Sequence, residues 1–495
     1  MTKSSKREDD MVKKSRVFWI FFLVLAVFLL SVCSKKKSTE PEPPKYKWTI
    51  LGYFDGNNDL DIEVDSASYV IRDMQDMEQV GSTEDIQLIV MVSSINTGGN
   101  CNYYFIEKHL DEDTDSISSE VLDSLGKKDM SDPQTLRDFI EYGVEHYPAD
   151  HYMLIINDRG SGWKGVCSDQ ENGDGEMMTL PELSSALSGY HFEIILFNAP
   201  YMSMVEVAYQ LKDKANYLIA LQFNLPKKNI LSPSEWLQSL ANNPGINSKS
   251  LAYIIAEAIH PPAEVYNTIC AIDLSKVDAL TSKIAEFCSL VKSRIGDDWK
   301  EILDARKISP SFPLEYYSDL KKFYQNIQGS TDLDSAIKSA ALAVENANDD
   351  AVVKMLSYPD IGYGGLCIHF PRISDDFDST DYVQLAFAVS GWHIFLSEFI
   401  QAYTEGNSGS LRIVSEPVKG AWIFLDGDST GLVTDTTIHG IPAGMHSIKL
   451  AKAGWHMDDN RPVNVIVSAG TTTEIKIILL QGSPPKKEIS ALNYR

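Results

Sequence analysis

The sequence predicts an α/β fold with a mostly parallel sheet between helical layers, followed by a small all-β sandwich domain. Strand-like apolar runs alternate with helical patterns across residues 48–223, and short β-rich runs separated by turn residues occupy residues 411–479. The chain has 495 residues, which is too long for one ordinary core. We therefore expect more than one domain.

Composition excludes several classes of function. The formal net charge is −25, and so acidic a body repels nucleic acid, so no nucleic-acid partner is expected. The six cysteines contain no CxxC spacing, which argues against a zinc or redox motif. Hydrophobic and charged fractions of 44% and 23% are ordinary for a globular protein.

Residues 1–33 are typical of a secretory signal of the lipoprotein type. A basic region is followed by uninterrupted apolar sequence at residues 17–30, and Leu-Ser-Val-Cys at 30–33 resembles a bacterial lipobox with Cys33 as the lipidation site. An uncleaved anchor and an ordinary cleaved signal are the alternatives. Residues 34–46 are rich in proline and lysine and are predicted to form a tether. We therefore expect a membrane-anchored protein of the bacterial cell envelope.

The first folded region shows the elements of a parallel sheet in order. A helical pattern continues to Val80, an Asp132-Pro133 pair begins a helix that ends at His146, and another helix begins at Val205. His369 lies in a later apolar strand and is expected to be a hydrogen-bonded core residue. The predicted strands before that helix are residues 48–54, 86–92, 151–157 and 191–197.

Two short motifs stand where strands end. Residues 158–163 read Asp-Arg-Gly-Ser-Gly-Trp, and residues 198–204 read Asn-Ala-Pro-Tyr-Met-Ser-Met. Together with Gly-Leu-Cys-Ile-His-Phe-Pro at 365–371, they resemble the clostripain family of cysteine peptidases over about residues 47–403. The corresponding family motifs read Asp-His-Gly-Ser-Gly-Trp and Asp-Ala-Cys-Leu-Met-Ser. The resemblance implies a caspase-like α/β/α sandwich.

The resemblance also implies that three functional positions are altered. Pro200 stands where the family has its cysteine nucleophile, Arg159 where it has its histidine, and Asn198 where it has an aspartate. Proline offers no nucleophile, and arginine stays protonated up to about pH 12. The family aspartate looks like part of a pocket for a basic substrate side chain, and Asn198 removes its charge. No catalytic residue is therefore expected to be intact.

Well-matched surroundings of these positions favour a cleft that binds without cleaving. The predicted function is that of a membrane-tethered, inactive clostripain-like protein (a pseudopeptidase) whose partner is a peptide or protein ligand of the envelope. The candidate residues of the binding cleft are Asp158, Arg159, Gly160, Asn198 and Tyr201.

Two other functions remain open from the sequence. One is an active cysteine-type hydrolase with a non-standard nucleophile, for which Cys167 lies eight positions after Arg159. Ser161 and Ser203 are hydroxyls beside the altered positions, but neither has an evident base. The other is a structural or adhesive envelope protein in which the sandwich is only a scaffold.

No cofactor and no metal are expected, with calcium as the alternative. Asp55, Asp59 and Asp61 surround an Asn-Asn pair, and residues 168–176 form a second acidic segment. Carboxylate and amide oxygens are the ligands that calcium prefers. Neither segment completes an EF-hand pattern, and turn formation explains both compositions.

The chain changes character after residue 403. Residues 404–410, rich in glycine and serine, are predicted to be a flexible linker, and residues 482–495 a disordered tail. The β-rich region between them, residues 411–481, carries Gly-Ile-Pro-Ala-Gly-Met-His at 440–446 and resembles a PEGA domain. That resemblance implies a small β-sandwich used as a spacer or adhesive unit. The predicted strands are residues 411–414, 421–425, 446–450, 463–467 and 473–479.

Overall fold

The structure is a computed structural model. It describes residues 45–58, 68–95, 98–110, 117–223, 231–259, 267–311, 316–358, 362–371, 377, 379–458 and 461–482. The predicted signal segment with Cys33, most of the tether and the tail beyond residue 482 lie outside these ranges. Among the helices within them, none combines the length and apolar character needed to cross a membrane.

The strands and helices of the α/β region alternate along the chain. The strands are β1 (Tyr46–Gly56), β2 (Ile86–Ser94), β3 (Asn100–Phe105), β4 (Glu120–Lys127), β5 (Ala149–Asn157), β6 (Phe192–Asn198), β7 (Ala215–Leu221), β8 (Asn267–Asp273), β9 (Tyr317–Asp319), β10 (Val352–Tyr358) and β11 (Cys367–His369). The α-helices are α1 (Tyr69–Glu78), α2 (Pro133–His146), α3 (Leu180–Ala186), α4 (Val205–Leu211), α5 (Pro233–Asn242), α6 (Ser248–Ala258), α7 (Val277–Lys292), α8 (Ile295–Ile308), α9 (Leu320–Gly329), α10 (Ser335–Ala351), α11 (Ser379–Tyr382) and α12 (Trp392–Gly406).

A sheet of nine strands forms the centre of this region, in the order β10-β8-β7-β6-β5-β1-β2-β3-β4. The strands from β7 to β2 pair in parallel. The remaining strands pair antiparallel at the two margins. The predicted α/β fold with a mostly parallel sheet is confirmed. The antiparallel margins are the part that the simple alternation of strands and helices did not predict.

Side chains of the central strands enter two apolar cores, one on each face of the sheet. On β5, Leu154 and Ile156 pack into one core, and Met153 and Ile155 pack into the other. A strand buried on both faces needs an unbroken apolar run, which is what the sequence shows here. Each fully buried side chain of this size contributes about 1.5–3 kcal/mol. The carboxyl ends of these strands are therefore firmly held.

The C-terminal region is a small all-β domain, as predicted. Its two four-stranded sheets have the orders β15-β12-β19-β17 and β14-β13-β16-β18. Ile413 from one sheet and Ile448 from the other belong to the same buried core. The strands are β12 (Ser408–Glu416), β13 (Trp422–Leu425), β14 (Asp428–Val433), β15 (Thr436–Pro442), β16 (Gly444–Ala451), β17 (Trp455–Met457), β18 (Val463–Val467) and β19 (Thr472–Gln481).

The structure differs from the sequence prediction at residues 404–410. Helix α12 continues to Gly406 and strand β12 begins at Ser408, so no flexible linker separates them. A Cβ added to Gly406 would lie 2.5 Å from the Trp299 ring. Asn407 accepts a hydrogen bond from the Ala443 N–H at 2.9 Å. The small residues are therefore explained by close packing, which composition alone cannot distinguish from flexibility.

Candidate functional site

Positions 159, 198 and 200, which the family resemblance singles out, lie close together at the carboxyl edge of the parallel strands. Asn157 at the end of β5 pairs with Asn198 at the end of β6, and Arg159 and Pro200 each follow two residues later. A Cβ added to Gly160 would lie 2.3 Å from the Pro200 carbonyl oxygen. The two loops are therefore in contact, and the backbone approach requires glycine at position 160.

Arg159 and Pro200 together present a positive charge and no nucleophile. Pro200 is buried, whereas Arg159 is partly exposed. Burial lowers the pKa of the Arg159 guanidinium below its ordinary value, but this group is a cation rather than a base in proteins. Pro200 has neither a thiol nor a backbone N–H. Arg159 therefore cannot act as a base, and Pro200 cannot act as a nucleophile.

Tyr201 turns the chain from β6 towards α4. Its backbone is left-handed, with φ of 61°, and its N–H donates to the Phe223 carbonyl oxygen at 3.1 Å. Its ring meets the Tyr317 ring edge-on with centroids 5.9 Å apart. A left-handed backbone is unfavourable for a bulky side chain and is found mainly where function or tight packing demands it. Tyr201 is 9% exposed, so most of its side chain is covered by neighbouring residues.

Asn198 is bound into a buried network behind the edge. Its Nδ2 donates to Asp73 Oδ2 at 3.3 Å and to Asn157 Oδ1 at 3.1 Å. Asn157 Nδ2 donates to the same Asp73 oxygen at 2.6 Å. Both asparagines are less than a tenth exposed, and Asp73 is 1% exposed. One carboxylate on α1 thus holds the ends of β5 and β6 together.

Asp158 connects the loop after β5 to the turn after β1. Its Oδ1 accepts a hydrogen bond from Asn58 Nδ2 at 2.5 Å, and its Oδ2 accepts one from the Ser168 N–H at 2.7 Å. Burial and the neighbouring Asp55 raise the pKa of Asp158 well above its ordinary value. Burial and Asp169 likewise raise the pKa of Asp55 to about 7. Burial and the proximity of the two carboxyl groups therefore disfavour the ionised forms of Asp55 and Asp158.

Cys167, the thiol closest in sequence to the site, is not activated. It has no exposed surface, and its N–H donates to the Arg159 carbonyl oxygen at 3.0 Å. Burial and Asp158 raise the pKa of its thiol well above the ordinary value. The four other cysteines in the described ranges are also buried and free. A thiol of this kind stays protonated, so Cys167 supplies no thiolate.

Glu206 in the first turn of α4 supports the site from the interior. Its Oε1 accepts hydrogen bonds from the His369 N–H at 2.8 Å and from the Tyr382 hydroxyl at 2.7 Å. Burial raises the pKa of Glu206 to about 7. His369 is buried as predicted, but neither ring nitrogen has a hydrogen-bond partner within the described part of the chain. The prediction of a hydrogen-bonded imidazole is wrong because aromatic rings such as Trp163, at 5.2 Å, surround it.

A cleft of about 580 Å³ opens beside the loop at residues 158–163. This volume falls within the range of ligand pockets, and its walls combine apolar side chains with both signs of charge. The cleft shares that loop with the Arg159–Pro200 edge and is large enough for a short peptide segment. Its lining includes Trp163, Lys164, Glu176, Met177, Asp381 and Leu385.

The two acidic segments considered for calcium meet in one hydrogen-bonded network. Asn57 Nδ2 donates to Asp169 Oδ2 at 3.0 Å, and Asp169 Oδ1 accepts from the Asn172 N–H at 2.8 Å. Asp59 and Asp61 lie outside the described residues. Across the residues that are described, no three His, Cys, Asp or Glu side chains are grouped to hold a metal. Hydrogen bonds to Asn57 and backbone N–H groups give Asp169 a structural role.

Sequence reasoning missed Asp73. The signal was present in α1, where Val70, Asp73, Met74 and Met77 follow the spacing of one buried helix face. An aspartate among core-facing positions of a helix needs a buried hydrogen-bond partner. The sequence did not indicate that this partner would be Asn198.

Comparison with known proteins agrees with this architecture. The sequence model of the clostripain family matches residues 53–429, and that of the PEGA domain matches residues 408–482. Clostripain of Hathewaya histolytica is 32% identical over 95 residues, which are 16% of this chain. The match spans only 18% of the length of that relative.

Two solved structures share the fold of the larger region. A secreted C11 cysteine protease from Bacteroides thetaiotaomicron, in complex with an irreversible peptide inhibitor, has a TM-score of 0.53 at 22% identity and covers 70% of this chain and 99% of its own. An inactive zymogen C11 protease from Parabacteroides distasonis has a TM-score of 0.53 at 20% identity, covering 71% and 99%. The fold is therefore caspase-like. Since the family model matches most of the chain, this protein belongs to the clostripain family and carries a C-terminal PEGA domain.

Proposed function

We propose that this protein is a catalytically inactive member of the clostripain family that binds a peptide or protein ligand in the bacterial cell envelope. Its N-terminal segment, with Cys33 as the lipidated residue, holds it at a membrane. The observation that carries the proposal is the contact between the Arg159 and Pro200 loops at the sheet edge. A cysteine peptidase needs a thiolate and a base, and these two residues offer neither.

Binding is supported by what remains of the site. The cleft of about 580 Å³ shares its loop with Arg159, and one of its sides carries the apolar surface of Trp163. The Bacteroides thetaiotaomicron protease with the same fold was solved with a peptide inhibitor. The loop beside the cleft carries a guanidinium at position 159, where the family resemblance places a histidine, so it supplies no base for cleavage. The ligand is therefore held and not cleaved.

The rival reading, an active hydrolase with another nucleophile, has weak support. Cys167 is fully buried with a raised pKa. Ser203 is also fully buried, and its hydroxyl donates to the Gly365 carbonyl oxygen at 2.6 Å. A serine nucleophile needs an adjacent base, and this hydroxyl faces a carbonyl group instead.

Turnover and thiol labelling separate the two readings. The purified full chain is incubated with a peptide library and with a thiol-reactive peptide probe. We expect neither cleavage products nor specific labelling. Cleavage by the wild-type protein that is lost in a Cys167→Ala variant would contradict the proposal.

Ligand capture tests binding directly. Immobilised protein is offered the peptide library, and the bound peptides are eluted and sequenced. We expect an enriched family of peptides whose capture is weakened by Arg159→Ala. The matched control is Arg412→Ala, which removes an exposed arginine that pairs with Glu474 on the β domain. Equal capture by both variants would contradict a role for the sheet edge and favour a structural or adhesive function.

A further inference from the structure

We propose that the buried Asp73 carboxylate requires an amide side chain at position 198, because the side chain there must donate a hydrogen bond to it. Asp73 thereby keeps the site without a carboxyl group at position 198. Because this inference rests on the proposed function, it treats positions 159, 198 and 200 as one altered peptidase site. Asp73 acts through Asn198 and Asn157, so it is a positioning residue. Nothing in the family resemblance pointed to α1 as part of the site.

Among side chains of this shape, an amide makes both contacts of Asn198 without having to take up a proton. Its Nδ2 has two acceptors, the Asp73 carboxylate at 3.3 Å and the Asn157 carbonyl oxygen at 3.1 Å. Asn157 is oriented by its own 2.6 Å bond to Asp73, which directs its amide nitrogen to the carboxylate and its oxygen to position 198. Only a side chain that donates from this atom satisfies both contacts.

An aspartate at position 198, the residue type of the family, would reverse this arrangement. Its carboxylate would face the Asp73 carboxylate and the Asn157 amide oxygen at hydrogen-bonding distance. The Asn198 amide nitrogen now donates to both of these acceptors. All three residues are less than a tenth exposed, so water cannot screen the repulsion. Two carboxylates that share a buried site cannot both ionise without penalty. The acid-to-amide change at position 198 and the presence of Asp73 are therefore coupled.

It follows that the family's chemistry cannot be rebuilt at the three altered positions alone. Arg159→His, Asn198→Asp and Pro200→Cys together would place a new carboxylate against Asp73 and displace the end of β6. Adding Asp73→Asn exchanges the two side-chain types across the same contact. The amide then stands on α1 and the carboxylate on β6, and one can donate to the other.

A thermal series tests the coupling without any ligand. Tm is measured for the full chain as wild type, Asn198→Ala, Asn198→Asp, Asp73→Asn and Asp73→Asn/Asn198→Asp, at about pH 8 and about pH 5. We expect Asn198→Asp to lower Tm more than Asn198→Ala at the higher pH. The gap should close at the lower pH, where one carboxyl is protonated. The double variant should recover most of the loss at both values.

Two outcomes of this series would overturn the proposal. One is an equal Tm for Asn198→Asp and Asn198→Ala at both pH values. The other is a double variant less stable than Asn198→Asp alone. An Asn198→Asp protein that is unfolded at about pH 8 but recovered by Asp73→Asn supports the coupling just as well.

Thiol labelling supplies a readout that general stabilisation does not change. The triple variant Arg159→His/Asn198→Asp/Pro200→Cys is compared with the quadruple variant that also carries Asp73→Asn, using a thiol-reactive peptide probe. We expect labelling of position 200 about ten-fold faster in the quadruple variant, within the range of coupling between contacting residues. Equal labelling by two folded variants contradicts the proposal. The thermal series uses no ligand. A protein that shows the expected Tm pattern but captures no peptide would therefore refute the proposed function and leave the coupling between Asp73 and Asn198 standing.

Discussion

Asn58 and Asp158 are joined by a 2.5 Å hydrogen bond that links the turn after β1 to the loop carrying Arg159. Asp158 is 4% exposed, and Asp55 lies close enough to raise its pKa. The loop is thus held by hydrogen bonds to a buried carboxyl group. These hydrogen bonds fix the path of the loop that carries Arg159.

The first prediction concerns pH. Burial raises the pKa of Asp55 from its ordinary value of 3.8 to about 7, so between these values the folded state binds more protons than the unfolded state. Asp55 alone should therefore lower the free energy of unfolding by on the order of 3 kcal/mol as pH rises from about 4 to about 7, after which its contribution levels off. Denaturant unfolding at a series of pH values measures this slope.

Asp55→Asn identifies the source of the slope. The variant keeps an oxygen that can accept the Asn57 N–H, as Asp55 Oδ1 does at 2.9 Å, and it removes the titrating group. We expect a smaller slope and higher stability than wild type above about pH 7. Asp278→Asn, at an exposed carboxylate paired with Lys212, is the matched control and should leave the slope unchanged. An unaltered slope in Asp55→Asn would show that other groups cause it.

A second prediction concerns the contact between the two loops. Gly160→Ala adds a Cβ 2.3 Å from the Pro200 carbonyl oxygen, which is a backbone atom and cannot turn aside. We expect a loss of about 1–3 kcal/mol in the free energy of unfolding and weaker peptide capture. Gly296→Ala in α8 is the control, since nothing lies within 4 Å of the added atom. That change should stabilise by about 0.5–1 kcal/mol. Equal effects of the two variants would mean that the loops can separate freely.

The sequence predicted the elements that depend on neighbouring residues. The central segments of β2 and β5, residues 88–92 and 153–156, are apolar runs because both of their faces are buried. The start of α2 is marked by Asp132, whose side chain accepts a hydrogen bond from the Gln134 N–H at 2.8 Å. Strand β14 was missed, because its side chains are mostly exposed and carry no apolar pattern.

Contacts between distant residues could not be predicted in the same way. Asp73 and Asn198 are 125 positions apart, and no local pattern connects a helical aspartate to the end of a particular strand. The adjacency of Arg159 and Pro200 follows from strand order, since β5 and β6 are neighbours in the sheet. That adjacency was implied by the family resemblance, which places both residues at catalytic positions. The hydrogen-bond network of Asp73, Asn157 and Asn198 behind these two residues was not implied by it.

A third prediction concerns Glu206. Burial raises its pKa from the ordinary 4.5 to about 7, so wild type should lose stability as pH rises through this interval. Glu206→Gln retains an oxygen that can accept from the His369 N–H and the Tyr382 hydroxyl, and it has no charge to bury. We expect it to exceed wild type in stability at about pH 8 and to match it at about pH 4. Circular dichroism melting curves at the two pH values measure the difference.

Glu206→Ala provides the contrast for this experiment. It leaves the N–H of His369 and the hydroxyl of Tyr382 without their acceptor and opens a cavity. We expect a loss of about 2–4 kcal/mol at both pH values. If Glu206→Gln lost as much as Glu206→Ala at about pH 8, the carboxylate charge would be stabilising, contrary to the effect of its burial.

The last prediction tests whether the β domain follows the α/β region without a flexible linker. Gly406→Ala places a Cβ 2.5 Å from the Trp299 ring, which is packed edge-on against Tyr403 at 5.8 Å. We expect a loss of about 1–3 kcal/mol in urea unfolding, because the ring must move to make room. Gly329→Ala at the end of α9, with nothing within 4 Å of the added atom, should be neutral or slightly stabilising. A flexible linker would make both substitutions neutral, so a measured difference between them decides the question.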